Sequence, residues 1–286
     1  YDLTLPLSRY YANNRNSLPN PFKCIQIDKV YRAERPQRGR LREFVQCDID
    51  ILGDETDLAE IELISATAQT LTDLFEGTDI NSFTVHINDR RILAAAALKA
   101  GFREEDLESV LISLDKFDKI GKDGVRAELV DNGFSAQAAD NYLSLYDEND
   151  LSCEEFCDRI GEELLPASVK DALLEIIECA AAETGENVTL KFDPSLVRGM
   201  GYYTGTIFEV TVDGYGFSIA GGGRYDRMVG KFTGQETCAC GFSIGFERII
   251  TILKDKMRDT IKVPAGSTAA MASTASRSSR SSPRTV

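Results

Sequence analysis

The sequence predicts an α+β fold: an antiparallel sheet flanked by helices and interrupted by a helical insertion. Three observations carry that reading. Two β-rich runs, 22–32 and 42–52, are joined by a charged loop. From Asp89 to about Thr184 nearly everything reads as helix, and short strands return only after that block. Strands, helices and strands again in separate runs indicate segregated layers, not a repeating βαβ unit.

The elements follow in order. Residues 1–55 read as strands around one loop. In the second run Val45, Cys47, Ile49 and Ile51 point one way and Phe44, Gln46, Asp48 and Asp50 the other, the period of a half-buried strand. Pro36 and Gly39 stop regular structure between the runs, so a hairpin with a long basic loop is expected. Ile61, Ile64, Ala68, Leu71 and Leu74 have helical spacing over 57–75. Phe83–Asn88 alternates as a strand, and the helical block after it is broken at Gly101, Gly121, Gly133 and Pro166. Strands are expected at Val188–Phe192, Thr204–Val212 and Phe217–Ala220, with a turn at Asp213-Gly214. Gly221-Gly222-Gly223 then leads into Arg224-Tyr225-Asp226, and a last strand, Cys240–Ile244, runs through Gly245 into a helix at Phe246–Leu253. Beyond Pro264 the chain is rich in Ser, Ala, Thr and Arg and has no acid, the composition of a disordered tail whose arginines either touch RNA or are simply solvated. The division expected is 1–78 core, 79–187 helical insertion, 188–256 core and 257–286 tail.

Composition narrows the function. Hydrophobic residues at 43% and charged residues at 27% suffice for an ordinary globular core. A formal net charge of −14 argues against broad polyanion binding, because non-specific affinity for nucleic acid comes from basic charge. It leaves a local basic site open. The single histidine, His86, excludes a His/His/carboxylate metal centre within one chain, and no metal site is read here. His86 falls on the polar face of its strand, outside every motif, and is read as structural or surface. Seven scattered cysteines without a C-x-x-C pair read as reduced thiols of a cytosolic protein. No stretch approaches the roughly 20 apolar residues of a membrane span. The chain opens on Tyr1-Asp2-Leu3-Thr4, without a signal peptide or initiator Met, and is read as cytoplasmic and truncated.

Three segments carry chemistry. Arg32, Arg35, Arg38, Arg40 and Arg42 stand against one nearby acid, Glu34. Guanidinium forks match phosphate oxygens and stay charged, so a polyphosphate or nucleic-acid backbone site competes with a merely solvated hairpin. The returning strand favours a site, since Gln46, Asp48 and Asp50 would waste polar groups if buried without partners. Facing a cleft, they would offer carboxylates to an amino group or imidazole beside Phe44, on which a base could stack. In the second segment, Leu196 to Gly205, glycines flank Arg198 and Tyr202-Tyr203 and allow close backbone approach; an ordinary strand entry is the alternative. In the third, Gly241 to Arg248, a strand–glycine–helix junction puts Arg248 in the first helical turn. The helix dipole does not favour a cation there, so an anionic partner is expected, whether a ligand or a plain salt bridge.

In this order the segments resemble the catalytic core of class II aminoacyl-tRNA synthetases, specifically the histidyl-tRNA synthetase family. Tyr31 to Phe44 is similar to that class's motif 2, and Gly241 to Arg248 to its motif 3. Leu196 to Gly205, followed by Gly222 to Asp226, is similar to the histidine-specific motifs, as are Asp2 to Tyr10 and Leu114 to Gly121 to further family segments. The resemblance spans roughly residues 1–254. It implies a ligase that activates histidine with ATP and Mg²⁺ to histidyl-adenylate and passes it to tRNA(His), as a cytoplasmic homodimer when full length. It further implies roles residue by residue. Arg32 and Arg198 would be catalytic, on opposite sides of the α-phosphorus, with Arg32 also gripping the histidine carboxylate. Glu34 would read the adenine amino group, Phe44 would stack on the ring, and Arg40 and Arg248 would meet the tail phosphates, Arg248 also closing over the adenine. Asp2, Thr4 and Gln46 would hold the α-amino group, and Asp50 with Tyr203 the imidazole, with Tyr202 and Tyr225 in the same histidine-binding set.

Gly201 stands where many family members carry an acid, read as lineage variation. The family's motif 1 and anticodon-binding domain are not recognised in this chain. A paralogue of another class, the histidine-sensing regulatory subunit of ATP phosphoribosyltransferase, shares this core and lacks an anticodon domain. The arginines and Glu34, kept together, favour the synthetase.

Overall fold

The computed structural model describes residues 1–257 apart from 34, 149, 150 and 200. A helix, α1 (Thr4–Asn14), comes before any strand, so residues 1–55 are not strands alone. Its buried stripe is only Thr4, Leu7, Ser8 and Tyr11, two of them polar, too thin to stand out as helical periodicity. The expected hairpin follows as β1 (Phe22–Tyr31) and β2 (Glu43–Leu52), with Tyr31 opposite Glu43. Then come α2 (Leu58–Phe75) and β3 (Phe83–Asp89). The helical block resolves into α3 (Arg90–Ala100), α4 (Leu107–Leu114), α5 (Phe117–Asp131), α6 (Ala136–Ser144), α7 (Cys153–Ile160) and α8 (Ala167–Glu183). β4 (Val188–Phe192), β5 (Thr206–Thr211), β6 (Ala220–Arg224), α9 (Arg227–Thr233), β7 (Ala239–Gly245) and α10 (Phe246–Met257) complete the described chain. Of the tail expected at 257–286, Met257 is the last residue of α10 and the rest lies outside the described residues.

The strands form one sheet in the order β1-β2-β7-β6-β5-β3-β4. Every pairing is antiparallel except β3 with β4, which is parallel. A parallel pair needs a long crossover, and α3 to α8 supply it. β3 lies inside the sheet between β5 and β4, and α3 follows it directly.

The three glycines at 221–223 do not lead out of a strand, as the sequence suggested; they are the middle of β6. Glycine is ordinarily poor in strands, but β5 and β7 fill both hydrogen-bonding edges of β6, so ladder bonds outweigh propensity. On the apolar face Phe208 and Phe242 stack across Gly222, ring centroids 4.6 Å apart. A side chain at Gly222 would strike the carbonyl of Gly241.

That face, with Phe83, Val85, Ile87, Phe208, Val210 and Phe242, joins Leu63, Ile64 and Leu71 of α2 in a core that continues into the crossover helices. The opposite face carries Gln46, Asp48, Asp50, His86, Glu209 and Ser243 and floors the cleft. Among the described residues no helix is long and apolar enough to cross a membrane.

Candidate active site

Strand pairing alone lines up the floor of the cleft. His86, Glu209, Gly221, Ser243, Asp48 and Gln26 are successive register partners across β3, β5, β6, β7, β2 and β1. The neighbouring row runs Asn88, Ile207, Gly223, Gly241, Asp50 and Cys24. Glycines occupy the middle of both rows, and acids flank them. The result is a trough with a volume of about 820 Å³ whose centre has no side chains to fill it.

The sequence-read site residues meet there. Asp2, Thr4, Arg32, Arg40, Phe44 and Gln46 line one side, and Asp50, Arg198, Tyr202, Tyr203, Tyr225 and Arg248 the rest. Glu34 lies outside the described residues. Of the arginine-rich loop, Arg38 also lines the trough, whereas Arg35 and Arg42 do not.

At the β1–β2 end, Arg32 Nη2 donates to Gln46 Oε1 at 3.0 Å, and Nε to the carbonyl of Tyr1 at 3.1 Å. The guanidinium sits over the Phe44 ring, 5.0 Å from its centroid, so the aromatic plane and the cation share one patch. Gln46 Nε2 is spent on Ser243 Oγ at 2.8 Å and on Asp48. Asp48, one of the carboxylates the sequence placed on the polar face, is buried; burial raises its pKa against the bonds from Ser243 and Gln46. Asp2 accepts from the Leu5 N–H, and Thr4 is buried beside it in the first turn of α1.

Deeper in, the Tyr225 hydroxyl donates to Asp50 Oδ1 at 2.6 Å. Burial pushes Asp50 up to about 7; the Tyr225 bond pulls it down and the Asp48 charge pushes it further up. Asp50 Oδ2 is buried without a hydrogen-bond partner. Such an orphan costs free energy unless a ligand supplies the donor. A side chain at Gly241 would collide with this carboxylate, which explains glycine there. Tyr202 packs on Tyr203 and Tyr225, with ring centroids 4.8 Å and 6.2 Å away.

Arg198 is paired with Glu209 through Nη1, while its Nε is buried without a partner. Burial pulls its pKa down, but Tyr203 and Glu209 outweigh this and hold it above the usual arginine value. Arg248 donates through Nε to the carbonyl of Gly39 at 2.8 Å and through Nη1 to Ser218 O and Oγ. Its protein partners are thus carbonyl and hydroxyl oxygens, not the salt bridge considered as one alternative. They leave the cation without a salt bridge; burial lowers its pKa, and the Glu209 charge pushes it back up. The tip of the arginine loop is held from the same side, by Arg38 pairing with Asp255 of α10.

His86, read from the sequence as structural or surface and outside every motif, borders the trough. Its Nδ1 lies 3.1 Å from Asp193 Oδ2 and its Nε2 2.9 Å from Thr211 Oγ1. Glu209, Asp193 and Ser243 are further residues of the trough that sequence reasoning passed over. Glu209 and Asp193 sit in no motif, and Ser243 lies within the Gly241–Arg248 segment without having been singled out there; sheet register brings Glu209 and Ser243 to the floor. The one available signal was parity, since Glu209 shares the face of Thr211 within one strand.

The comparisons with known proteins agree with this arrangement. A family model described as histidyl-tRNA synthetase matches residues 1–249. A histidine–tRNA ligase of Leifsonia xyli is 48% identical over 259 residues, 89% of this chain and 59% of the relative. One from Aeropyrum pernix is 40% identical, covering 87% of this chain and 56% of the relative. The chain therefore spans somewhat over half the length of these curated relatives. Among solved structures, histidyl-tRNA synthetase from Nostoc sp. PCC 7120 aligns at a TM-score of 0.73 with 29% identity, over 89% of this chain and 59% of that one. An ATP phosphoribosyltransferase regulatory subunit/histidyl-tRNA synthetase from Bacillus halodurans shares the fold at a TM-score of 0.67 with 22% identity, over 87% of this chain and 63% of that one. With the motifs converging on one glycine-centred trough and a family model spanning nearly all the described residues, the chain belongs to the histidyl-tRNA synthetase family.

Proposed function

We propose that this chain carries the adenylate-forming site of a histidine–tRNA ligase, taking histidine and ATP as substrates and passing the histidyl group to tRNA(His). The observation that carries this is the trough itself. Asp50, whose buried Oδ2 has no hydrogen-bond partner, lines the same trough as Arg32, Arg198 and Arg248. The imidazole N–H of histidine would satisfy Asp50 Oδ2, with Tyr203 and Tyr225 forming the pocket, and Asp2, Thr4 and Gln46 would take the α-amino group. Phe44 and Glu34 would hold the adenine, while Arg40 and Arg248 would meet the tail phosphates.

The histidine carboxylate attacks the α-phosphorus, and pyrophosphate leaves. Two anions must approach, and charge grows on the phosphoryl oxygens. Arginines fixed in advance on both sides, Arg32 and Arg198, offset the repulsion without reorganising. No protein nucleophile or proton relay is needed. Among the described residues no three His, Cys, Asp or Glu side chains converge to hold a metal. Mg²⁺ enters this proposal as the ion that ATP brings, held largely by substrate phosphates. Homodimer formation and cytoplasmic residence by the full-length protein belong to the same proposal, as does the division into a core at 1–78 and 188–256 around an insertion at 79–187.

The test is histidine-dependent exchange of labelled pyrophosphate into ATP by the full-length parent. Arg198→Ala should lower the rate by about 10²–10³-fold, the scale of one lost transition-state donor. A fully active variant removes Arg198 from the reaction. Histidine binding without any exchange would instead favour the sensing role of a regulatory subunit.

A further inference from the structure

Arg198 sits in the segment between β4 and β5, outside any helix or strand. The backbone there gives a long, flexible side chain little direction, so its aim must come from what it lies against. Two residues of the floor supply it. Glu209 of β5 and Gly221 of β6 are direct register partners, side by side on the cleft face. The guanidinium lies on the bare backbone of Gly221, where a Cβ would come within 2.5 Å of Nη1 and 2.8 Å of Cζ. Glu209 takes Nη1 from the side. One end of the fork is thereby fixed, while the Nε is buried and has no hydrogen-bond partner.

The position of Glu209 is otherwise hard to account for. A carboxylate on the floor of a trough built to receive phosphates repels the substrate. Its charge is tolerable only when paired, and the orientation of its partner is what the pair provides. Its other register neighbour, His86, is already engaged by Asp193 and Thr211, so the ion pair Glu209 makes is with Arg198, with the Arg248 charge acting on it as well.

Resting on the reading of the site given above, we infer that Glu209 is a positioning residue that sets the guanidinium of Arg198 for the α-phosphate. It need not touch either substrate. The full-length parent, Glu209→Gln, Glu209→Ala, Arg198→Ala and the Arg198→Ala/Glu209→Ala double variant are compared by histidine-dependent pyrophosphate exchange. Glu209→Ala should lower kcat about 10- to 100-fold, as for a small misplacement of a reacting group, with KM for histidine and for ATP within about two-fold of the parent. Glu209→Gln, nearly isosteric and still offering a carbonyl acceptor, should retain more of kcat than Glu209→Ala. The double variant should be no slower than Arg198→Ala alone, because a residue acting only through Arg198 has nothing left to act on. Multiplying losses in the double variant, a loss confined to KM, or a Glu209→Ala enzyme with full kcat would each overturn the inference. If Glu209→Ala does not fold, Glu209→Gln decides by the same kcat and KM criteria. A parent with no histidine-dependent exchange overturns the reading of the site and this inference together; an active parent with unaffected Glu209 variants overturns the inference alone.

Discussion

Asp50 is the residue where stability and recognition pull in opposite directions. It is buried, shares the floor with Asp48, and titrates near 7 in the folded chain against 3.8 for an ordinary aspartate. Between those values the folded state holds a proton that the unfolded state has released, so stability falls as pH rises through that window, by at most about 1.4 kcal/mol per pH unit. Below the lower value both states are protonated and the effect vanishes. Denaturant unfolding at a series of pH values should show the parent losing stability relative to Asp50→Asn between pH 4 and 7, with the difference level above pH 8. A difference that stays level throughout would contradict the burial account. The same substitution replaces a carboxylate oxygen with an amide donor in a residue that lines the trough, and histidine binding measured by calorimetry should weaken by about ten-fold or more, the worth of a buried charge-assisted hydrogen bond. Asp50, Gln46 and Phe44 were legible as residues because strict alternation put them on one face. His86 and Glu209 were not, since nothing local distinguishes a strand residue over a cleft from one over solvent.

Between elements, a buried polar link ties α2 to β6. Arg224 reaches Glu60 through Nε and Nη2, both at 2.6 Å, and also donates to the carbonyl of Thr56. Glu60 is fully buried and Arg224 nearly so. Tyr225 follows Arg224 directly, so this pair also fixes where the Asp50 partner sits. Glu60→Ala leaves a buried guanidinium without its counter-charge and should cost about 3–5 kcal/mol of unfolding free energy. Urea unfolding checks this, and a loss below about 1 kcal/mol, the worth of an exposed pair, would mean that solvent reaches the site. The hairpin of β1 and β2 was readable from its sequence, because alternation, Pro36 and Gly39 act locally. β6 was not, because a run of glycines becomes a strand only when neighbours on both edges supply its hydrogen bonds.

Across the molecule, the helices of the crossover are bound to the sheet by apolar packing and not merely tethered to it. Buried residues of α3 to α8 and of the strands belong to one continuous cluster, from Leu7 to Ile252. α8 packs on both α2 and β4, so the last crossover helix is pinned to the strand it feeds. Thermal unfolding should therefore be one cooperative transition, coincident by far-ultraviolet and by tyrosine near-ultraviolet dichroism. Tyr142 and Tyr146 report the crossover and Tyr225 the trough. Two transitions separated by more than a few degrees would make the crossover an independent unit.

By itself the sequence determined the class of fold, the hairpin, the three chemistry-bearing segments and, through their resemblance, the family. These are encoded in short stretches of chain, by side-chain periodicity and by motifs whose spacing is local. Only the tertiary structure decided that the glycines at 221–223 form a central strand, that β3 belongs to the sheet, and that Glu209 meets Arg198 while His86 meets Asp193 and Thr211. Those facts depend on which strands become neighbours and in what register. That is set by burying one apolar face across the whole sheet, a property no single segment contains.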